Sequence, residues 1–135
     1  MKILIAEDDF VSRTLITEML APYGVCHAAT DGQEAMHAFI SQHERKSPYN
    51  LVCLDIMMPK KTGQEVLQEI RAYEKANGIG GSDAVKVIMT TALSDPKNIM
   101  TAFLKGACEG YLTKPIEHAQ LEAQLLKLGF AKPRG

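Results

Sequence analysis

The sequence predicts an α/β protein with a doubly wound, five-stranded parallel sheet and helices on both faces. Short apolar segments alternate five times with segments whose apolar residues recur at helical spacing, which is the pattern of repeated strand–helix units. Strands that are joined through a helix pair in parallel, with right-handed crossovers. The third apolar segment runs directly into one carboxylate, Asp55, which is typical of a buried strand with a functional group at its carboxyl end.

Each strand is located by an apolar run that has acidic or turn-forming residues at its ends. The third strand is the clearest, because Leu51–Leu54 is apolar throughout and Pro59 forces the chain out of the sheet soon after Asp55. The predicted strands span residues 2–6, 25–29, 51–55, 84–89 and 110–113.

Helix starts are marked by capping residues. Asp9 is expected only to cap the first helix and not to bind a metal ion. Asp31 with Glu34 and Thr62 with Glu65 have the spacing of capping boxes. The apolar faces of the predicted helices lie within 11–20, 35–40, 66–73, 99–104 and 116–128.

Composition restricts the class of protein. With 135 residues, 46% of them hydrophobic, we expect one domain over residues 1–130 and a short tail over 131–135. A formal net charge of -1 argues against direct binding to nucleic acid or an anionic membrane. The 3 cysteines are odd in number and widely spaced, which indicates reduced thiols in a cytoplasmic protein.

Polar side chains follow four of the predicted strands where each strand ends. Glu7 and Asp8 follow the first, Asp55 ends the third, Thr90–Thr91 ends the fourth and Lys114 follows the fifth. Because the carboxyl ends of parallel strands share one edge of the sheet, we expect these groups to converge.

The converging groups predict a magnesium site that handles phosphoryl groups. Carboxylates brought together repel one another and need a cation, and hard oxygen ligands at a hydrated site suit Mg²⁺. A lysine and a threonine hydroxyl beside the metal would complete a pocket for a phosphoryl group. Asp55 itself can be the nucleophile that forms an aspartyl phosphate.

The ordered motifs of this chain resemble the receiver domains of two-component response regulators, of the single-domain chemotaxis type. The resemblance covers nearly the whole chain and implies a flavodoxin-like fold, whose strand order 2-1-3-4-5 is the known order of that fold. The matching segments are Ile3–Asp9, Asp55 with Met58-Pro59 and Gly63, Thr91-Ala92, and Gly106-Ala107 followed by Tyr111–Pro115.

The resemblance implies that Asp55 is the phosphoacceptor and Lys114 its partner. Asp8 would bind Mg²⁺ directly, Glu7 through water, and Met57 through its backbone carbonyl, with Asp55 as a further ligand.

The resemblance also implies a conformational switch. Thr91 matches the switch hydroxyl, because Ala92 follows it, and Tyr111 matches the aromatic residue that moves inward with it. Thr90 is expected to be structural. Pro115 is expected to follow a cis peptide bond.

The implied function is that of a phosphoacceptor switch and not of an enzyme. A sensor histidine kinase or a histidine phosphotransfer protein would supply the phosphoryl group. The face made of the fourth helix, fifth strand and fifth helix would bind a downstream protein, in a monomer or weak dimer.

Two departures from the family pattern bear on this function. Lys61 and Thr62 stand where the family often has an apolar residue and Asp, although Thr62 can still start the helix. Met57 and Leu93 are apolar at the mouth of the pocket and cannot orient a water, so we expect slow hydrolysis of the aspartyl phosphate.

Other functions fit the sequence less well. An aspartate-nucleophile phosphohydrolase typically has a second Asp two residues after the nucleophile, where this chain has Met57. A receiver-like module that binds partners without phosphorylation would lack one of the key residues, and all are present. A nucleotide-binding flavodoxin-like role would need a glycine-rich loop after the first strand.

Overall fold

The computed structural model describes residues 1–92 and 108–131, and in them five strands form one parallel sheet. The strand order is β2-β1-β3-β4-β5, as the resemblance implied. The predicted strands are confirmed, except that the fourth begins at Lys86 and includes both threonines. The strands are β1 (Lys2–Ala6), β2 (Val25–Ala29), β3 (Leu51–Asp55), β4 (Lys86–Thr91) and β5 (Gly110–Thr113).

Four helices are described, and they cover both faces of the sheet. The helix predicted around residues 99–104 lies outside the described residues. None of the described helices has the length and apolar character needed to cross a membrane. The helices are α1 (Phe10–Leu20), α2 (Gly32–Glu44), α3 (Gly63–Ala76) and α4 (His118–Lys127), with short 3-10 turns at Ala21–Tyr23 and Gly81–Asp83.

The capping residues act largely as predicted. Asp9 accepts a hydrogen bond from Ser12 N at 2.8 Å and starts α1. Thr62 and Glu65 bond reciprocally in a capping box at α3. The box predicted at α2 is only half formed, because the Glu34 carboxylate accepts from the Thr30 hydroxyl while Asp31 caps the helix.

Two core layers lie on either side of the central strand β3, all of whose residues are buried. Val52 and Leu54 pack with residues of α2 and α3 on one face, whereas Leu51 and Cys53 pack with residues of α1 and α4 on the other. Each fully buried Leu contributes about 1.5–3 kcal/mol through lost apolar exposure. The position of Asp55 is therefore fixed by packing on both faces of β3.

A polar network fastens β4 to α3 and β5 at the amino end of the sheet. Arg71 pairs with Glu74 at 2.8 Å and with Glu109 at 3.0 Å. The Glu74 carboxylate accepts from Val85 N at 2.7 Å, and that of Glu109 accepts from Val87 N at 2.6 Å. Each carboxylate thus pairs with Arg71 and accepts from a backbone N–H at the start of β4. This network lies at the opposite edge of the sheet from Asp55.

Candidate functional site

Backbone hydrogen bonds bring the strand ends together at one edge. Glu7 N donates to Ala29 O at 3.0 Å, so β1 stays bound to β2 where its acidic residues begin. Ile56 N donates to Thr90 O at 3.0 Å just beyond Asp55. Lys114 N donates to Thr91 O at 2.7 Å, and this bond places the lysine beside the end of β4.

Gly63 allows α3 to begin directly against the end of β3. Its N–H donates to Ile56 O at 2.8 Å. A Cβ at this position would lie 2.2 Å from the backbone oxygen of Asp55, a separation that no side chain tolerates. The glycine therefore permits a close backbone contact that fixes the residue carrying the candidate nucleophile.

Three carboxylates meet at this edge. Ligand oxygens of Glu7, Asp8 and Asp55 all lie within 4.8 Å of one another. Glu7 is 1% exposed and Asp55 3% exposed, whereas Asp8 is open to solvent. The group predicted from strand ends thus assembles, with one carboxylate at the mouth and two beneath it.

Lys114 joins the two buried carboxylates. Its Nζ donates to Glu7 Oε1 at 3.0 Å and to Asp55 Oδ2 at 3.1 Å. It also lies 2.9 Å from Glu7 Oε2, in ion-pair contact but without hydrogen-bond geometry, so that this buried oxygen has no hydrogen-bond partner among the described residues. The predicted contact between the lysine and the candidate acceptor is therefore present.

The charges of the site are unbalanced. Burial raises the pKa of Glu7 to about 7, with the charge of Asp55 adding to the effect and the hydrogen bond from Lys114 opposing it. For Lys114, burial alone would lower the pKa, but the hydrogen bond to Glu7 and the charge of Asp55 outweigh it and raise the pKa. One ammonium group faces three carboxylates, so the site retains a negative charge that favours a cation.

The donor set fits Mg²⁺. Glu7 Oε2 is buried, accepts no hydrogen bond from the described residues, and lies in a cluster of hard oxygen ligands. Asp8 gives the cluster access to solvent, which suits an ion that keeps several of its waters. Met57 N donates to Asp55 Oδ1 at 3.2 Å, which fixes the backbone of Met57 next to the cluster. Its carbonyl as a ligand stays a prediction.

Arg13 also holds the acidic turn, and the sequence analysis missed it. Its Nη1 donates to the backbone oxygens of Glu7 at 3.0 Å and Asp8 at 3.3 Å. The guanidinium group lies 5.6 Å from the ring centroid of Phe10. The sequence could have indicated this contact, because a cationic residue lies one turn into the helix that follows the acidic residues.

The proposed switch residues leave the sheet on the face opposite to that of Asp55. Thr91 is 1% exposed and its hydroxyl donates to Ala92 O at 3.2 Å. Tyr111 is 39% exposed. Thr113 is the register partner of Thr91, so Tyr111, two residues earlier, leaves the sheet on the same face as Thr91. Their roles stay predictions.

Other predicted site features have a mixed outcome. The Lys114–Pro115 peptide bond is cis, as the resemblance implied. Leu93, Gly106 and Ala107 lie outside the described residues.

The profile of one protein family, described as response regulator receiver domain, matches residues 3–126. The chain belongs to this family. It is thus a receiver domain of two-component signalling. The residues that carried the resemblance to this family include Glu7, Asp8, Asp55 and Lys114, which meet at one edge of the sheet.

Relatives of this receiver domain occur in regulators and in kinases. It is 38% identical over 92% of its length to a protein of Porphyridium aerugineum described as a probable transcriptional regulator, and covers 46% of that protein. It is 35% identical over 87% of its length to a peroxide stress-activated histidine kinase of Schizosaccharomyces pombe, and covers 5% of it. The chain thus spans about half the length of the first relative and a small part of the second.

Solved structures show the same fold. A receiver domain of a Saccharomyces cerevisiae response regulator, in co-crystal with a histidine phosphotransfer protein, aligns with a TM-score of 0.76 at 28% identity over 93% of this chain and 86% of that chain. A chemotaxis receiver complex from Borrelia burgdorferi aligns with a TM-score of 0.78 at 23% identity, over 96% of this chain and 90% of that chain, which shows the shared fold.

Proposed function

We propose that this receiver domain accepts a phosphoryl group on Asp55 in the presence of Mg²⁺ and thereby changes its affinity for a protein partner. The supporting observation is the double contact of Lys114, which lies 3.1 Å from Asp55 Oδ2 and 2.9 Å from Glu7 Oε2 within a cluster of carboxylates. A lysine in this position can neutralise both the nucleophile and the group transferred to it.

Transfer consists of one nucleophilic displacement. A carboxylate oxygen of Asp55 forms a bond to phosphorus as the bond between phosphorus and the donor's imidazole nitrogen breaks. The electron pair of that bond stays on the nitrogen, and the imidazole takes a proton from water. Lys114 already contacts Asp55 Oδ2 and would remain paired with the oxygens of the product.

The surrounding residues position this reaction. Asp8 and Glu7 would hold the metal together with Asp55 and the carbonyl of Met57. When bound, Mg²⁺ would supply positive charge to the phosphoryl oxygens during transfer. Arg13 keeps the acidic turn in place through its bonds to the backbone of Glu7 and Asp8.

The output is a change of surface and not a turnover of substrate. The hydroxyl of Thr91 would exchange its bond to Ala92 O for one to the phosphoryl group, and Tyr111 would move inward beside it. The surface around β5 and α4, with the helix predicted before β5, would then bind a downstream protein. The domain would act in the cytoplasm, as a monomer or a weak dimer.

The donor is proposed to be a histidine kinase or a histidine phosphotransfer protein. The co-crystal of the related yeast receiver domain contains such a phosphotransfer protein, and another relative is itself a histidine kinase. Both relationships support a phosphohistidine donor for this chain.

Incubation with Mg²⁺ and acetyl phosphate, followed by intact mass measurement, tests the proposal. Wild-type protein should gain the mass of one phosphoryl group, and Asp55→Asn should gain none. The exposed acid Asp83 offers a control, because Asp83→Asn should be labelled like the wild type. Equal labelling of Asp55→Asn would contradict the proposal, as would partner binding that does not change on phosphorylation.

A further inference from the structure

Within the described part of the chain, a buried hydroxyl without a hydrogen bond lies on the strand next to the candidate acceptor. Thr90 is 1% exposed, and its Oγ1 has no hydrogen-bond partner among the described residues. Burying a hydroxyl in this state costs free energy that a valine of the same shape would not cost. Among the residues that the structure describes, the Thr90 hydroxyl is therefore a buried polar group that no other group bonds.

Thr90 faces the same layer as Asp55. The two residues are register partners on the neighbouring strands β4 and β3. Ile88 and Cys53, two residues before them, both pack in the core layer that contains residues of α1 and α4. Since side chains alternate along a strand, Thr90 and Asp55 leave the sheet on that same face.

Thr91 differs from Thr90 in the face of the sheet that it occupies and in the hydrogen bonding of its hydroxyl. It leaves the sheet on the opposite face, and its hydroxyl already donates to Ala92 O at 3.2 Å. The two adjacent threonines therefore have separate environments, and the one beside the acceptor is not the one that the family resemblance selects.

Both oxygens of Asp55 are engaged in the free protein. Oδ1 accepts from Met57 N at 3.2 Å and Oδ2 accepts from Lys114 Nζ at 3.1 Å. Glu7 lies two positions after Ile5, which packs in the same core layer. Its Oε2 is also buried and has no hydrogen-bond partner among the residues described. The layer thus holds an unused hydroxyl beside a carboxylate whose bonding must rearrange when it becomes an acyl phosphate.

We propose that Thr90 is a positioning residue whose hydroxyl gains its hydrogen bond only when Asp55 carries a phosphoryl group. This inference rests on the proposed function. Thr90 makes and breaks no covalent bond. Its hydroxyl donates to an oxygen of the phosphorylated site. The buried hydroxyl therefore costs free energy in the free protein and stabilises the phosphorylated protein.

Two variants separate the hydroxyl from the methyl group of Thr90. Thr90→Val keeps the branched shape and removes the hydroxyl, and should raise the urea midpoint of the free protein. Thr90→Ser keeps the hydroxyl and removes the methyl group, and should lower that midpoint. If Thr90 were purely structural, these substitutions would change the stability of the free protein without changing its affinity for a phosphoryl mimic.

The loaded state is measured with Mg²⁺ and beryllofluoride, a phosphoryl mimic, through the rise in thermal midpoint that binding produces. For Thr90→Val the apparent affinity for beryllofluoride should fall about tenfold, as expected for one hydrogen bond to a charged group. Thr90→Ser should bind with nearly wild-type affinity despite its lower stability.

The outcomes distinguish this inference from the proposed function. A wild-type protein that takes neither a phosphoryl group nor beryllofluoride would overturn the proposed function and this inference with it. If the wild type responds and Thr90→Val binds beryllofluoride equally well, only the inference is overturned. A Thr90→Val protein that is less stable than the wild type, or unfolded, also overturns it.

Discussion

Lys114 Nζ lies 3.1 Å from Asp55 Oδ2, although 59 residues separate the two in the sequence. The contact exists because β3 and β5 flank β4 in one parallel sheet, so that their carboxyl ends reach the same edge. The same ammonium group bonds Glu7, at the end of β1. A single side chain therefore links the ends of three strands through charge.

Replacing this lysine should destabilise the fold through electrostatics. Lys114→Met leaves Glu7 and Asp55 buried without a counter-charge, and we expect a loss of about 2 kcal/mol in unfolding free energy, below the value for fully buried pairs because the lysine is partly exposed. Urea denaturation at neutral pH measures it, and added Mg²⁺ should recover part of the loss. Lys127→Met, on the exposed end of α4, is the control, and an equal loss there would contradict the argument.

The substitution Gly63→Ala should disturb the site by displacing the backbone. The new Cβ would lie 2.2 Å from the backbone oxygen of Asp55, so β3 and α3 must separate, at a cost of about 2–4 kcal/mol. Urea denaturation measures the cost, and the acetyl phosphate assay should show reduced labelling. Gly80→Ala is the matched control, because a Cβ there meets no atom of the described residues within 4 Å. Equal stability of the two variants would refute the close-contact interpretation.

Met57 should control the lifetime of the phosphorylated state. Its side chain is 67% exposed beside Asp55 and cannot orient an attacking water, so we expect wild-type aspartyl phosphate to hydrolyse slowly. Met57→Asn supplies an amide that can orient water, and hydrolysis should accelerate about fivefold or more. Loss of the mass adduct with time gives the rate. Met57→Leu should behave like the wild type, and rapid loss from wild-type protein would contradict the prediction.

Asp31 should make stability depend on pH. Its hydrogen bond from Glu34 N, with burial opposing and the charge of Lys60 assisting, lowers the pKa of this carboxyl below its ordinary value of 3.8. An acid whose pKa is lower in the folded state stabilises the protein above its unfolded pKa, and this contribution is lost as the pH falls below that value.

The test replaces Asp31 with a residue that caps a helix without titrating. Asp31→Asn should keep most of the stability at pH 7, because asparagine is also a good N-cap. It should lose less thermal stability than the wild type between about pH 5 and pH 3, close to the ordinary pKa of aspartate. Identical pH dependence of the two thermal midpoints would show that the carboxylate of Asp31 contributes nothing.

The sequence by itself determined the strands and helices of the described residues, and which charged side chains meet in the candidate site. Alternation of apolar segments located the strands, and Asp9 and Thr62 marked helix starts that the structure confirms, because these signals are local in the chain. The convergence of Glu7, Asp8, Asp55 and Lys114 was also predictable, since parallel strands place their carboxyl ends at one edge.

Only the tertiary structure decided which side chains pair and which stay without a partner. The bonds of Arg13 to the acidic turn, and the pairing of Arg71 with Glu74 and Glu109, depend on side-chain directions that residue spacing does not specify. The environment of Thr90 likewise depends on register and burial, because two adjacent threonines are chemically identical until the sheet places them on opposite faces.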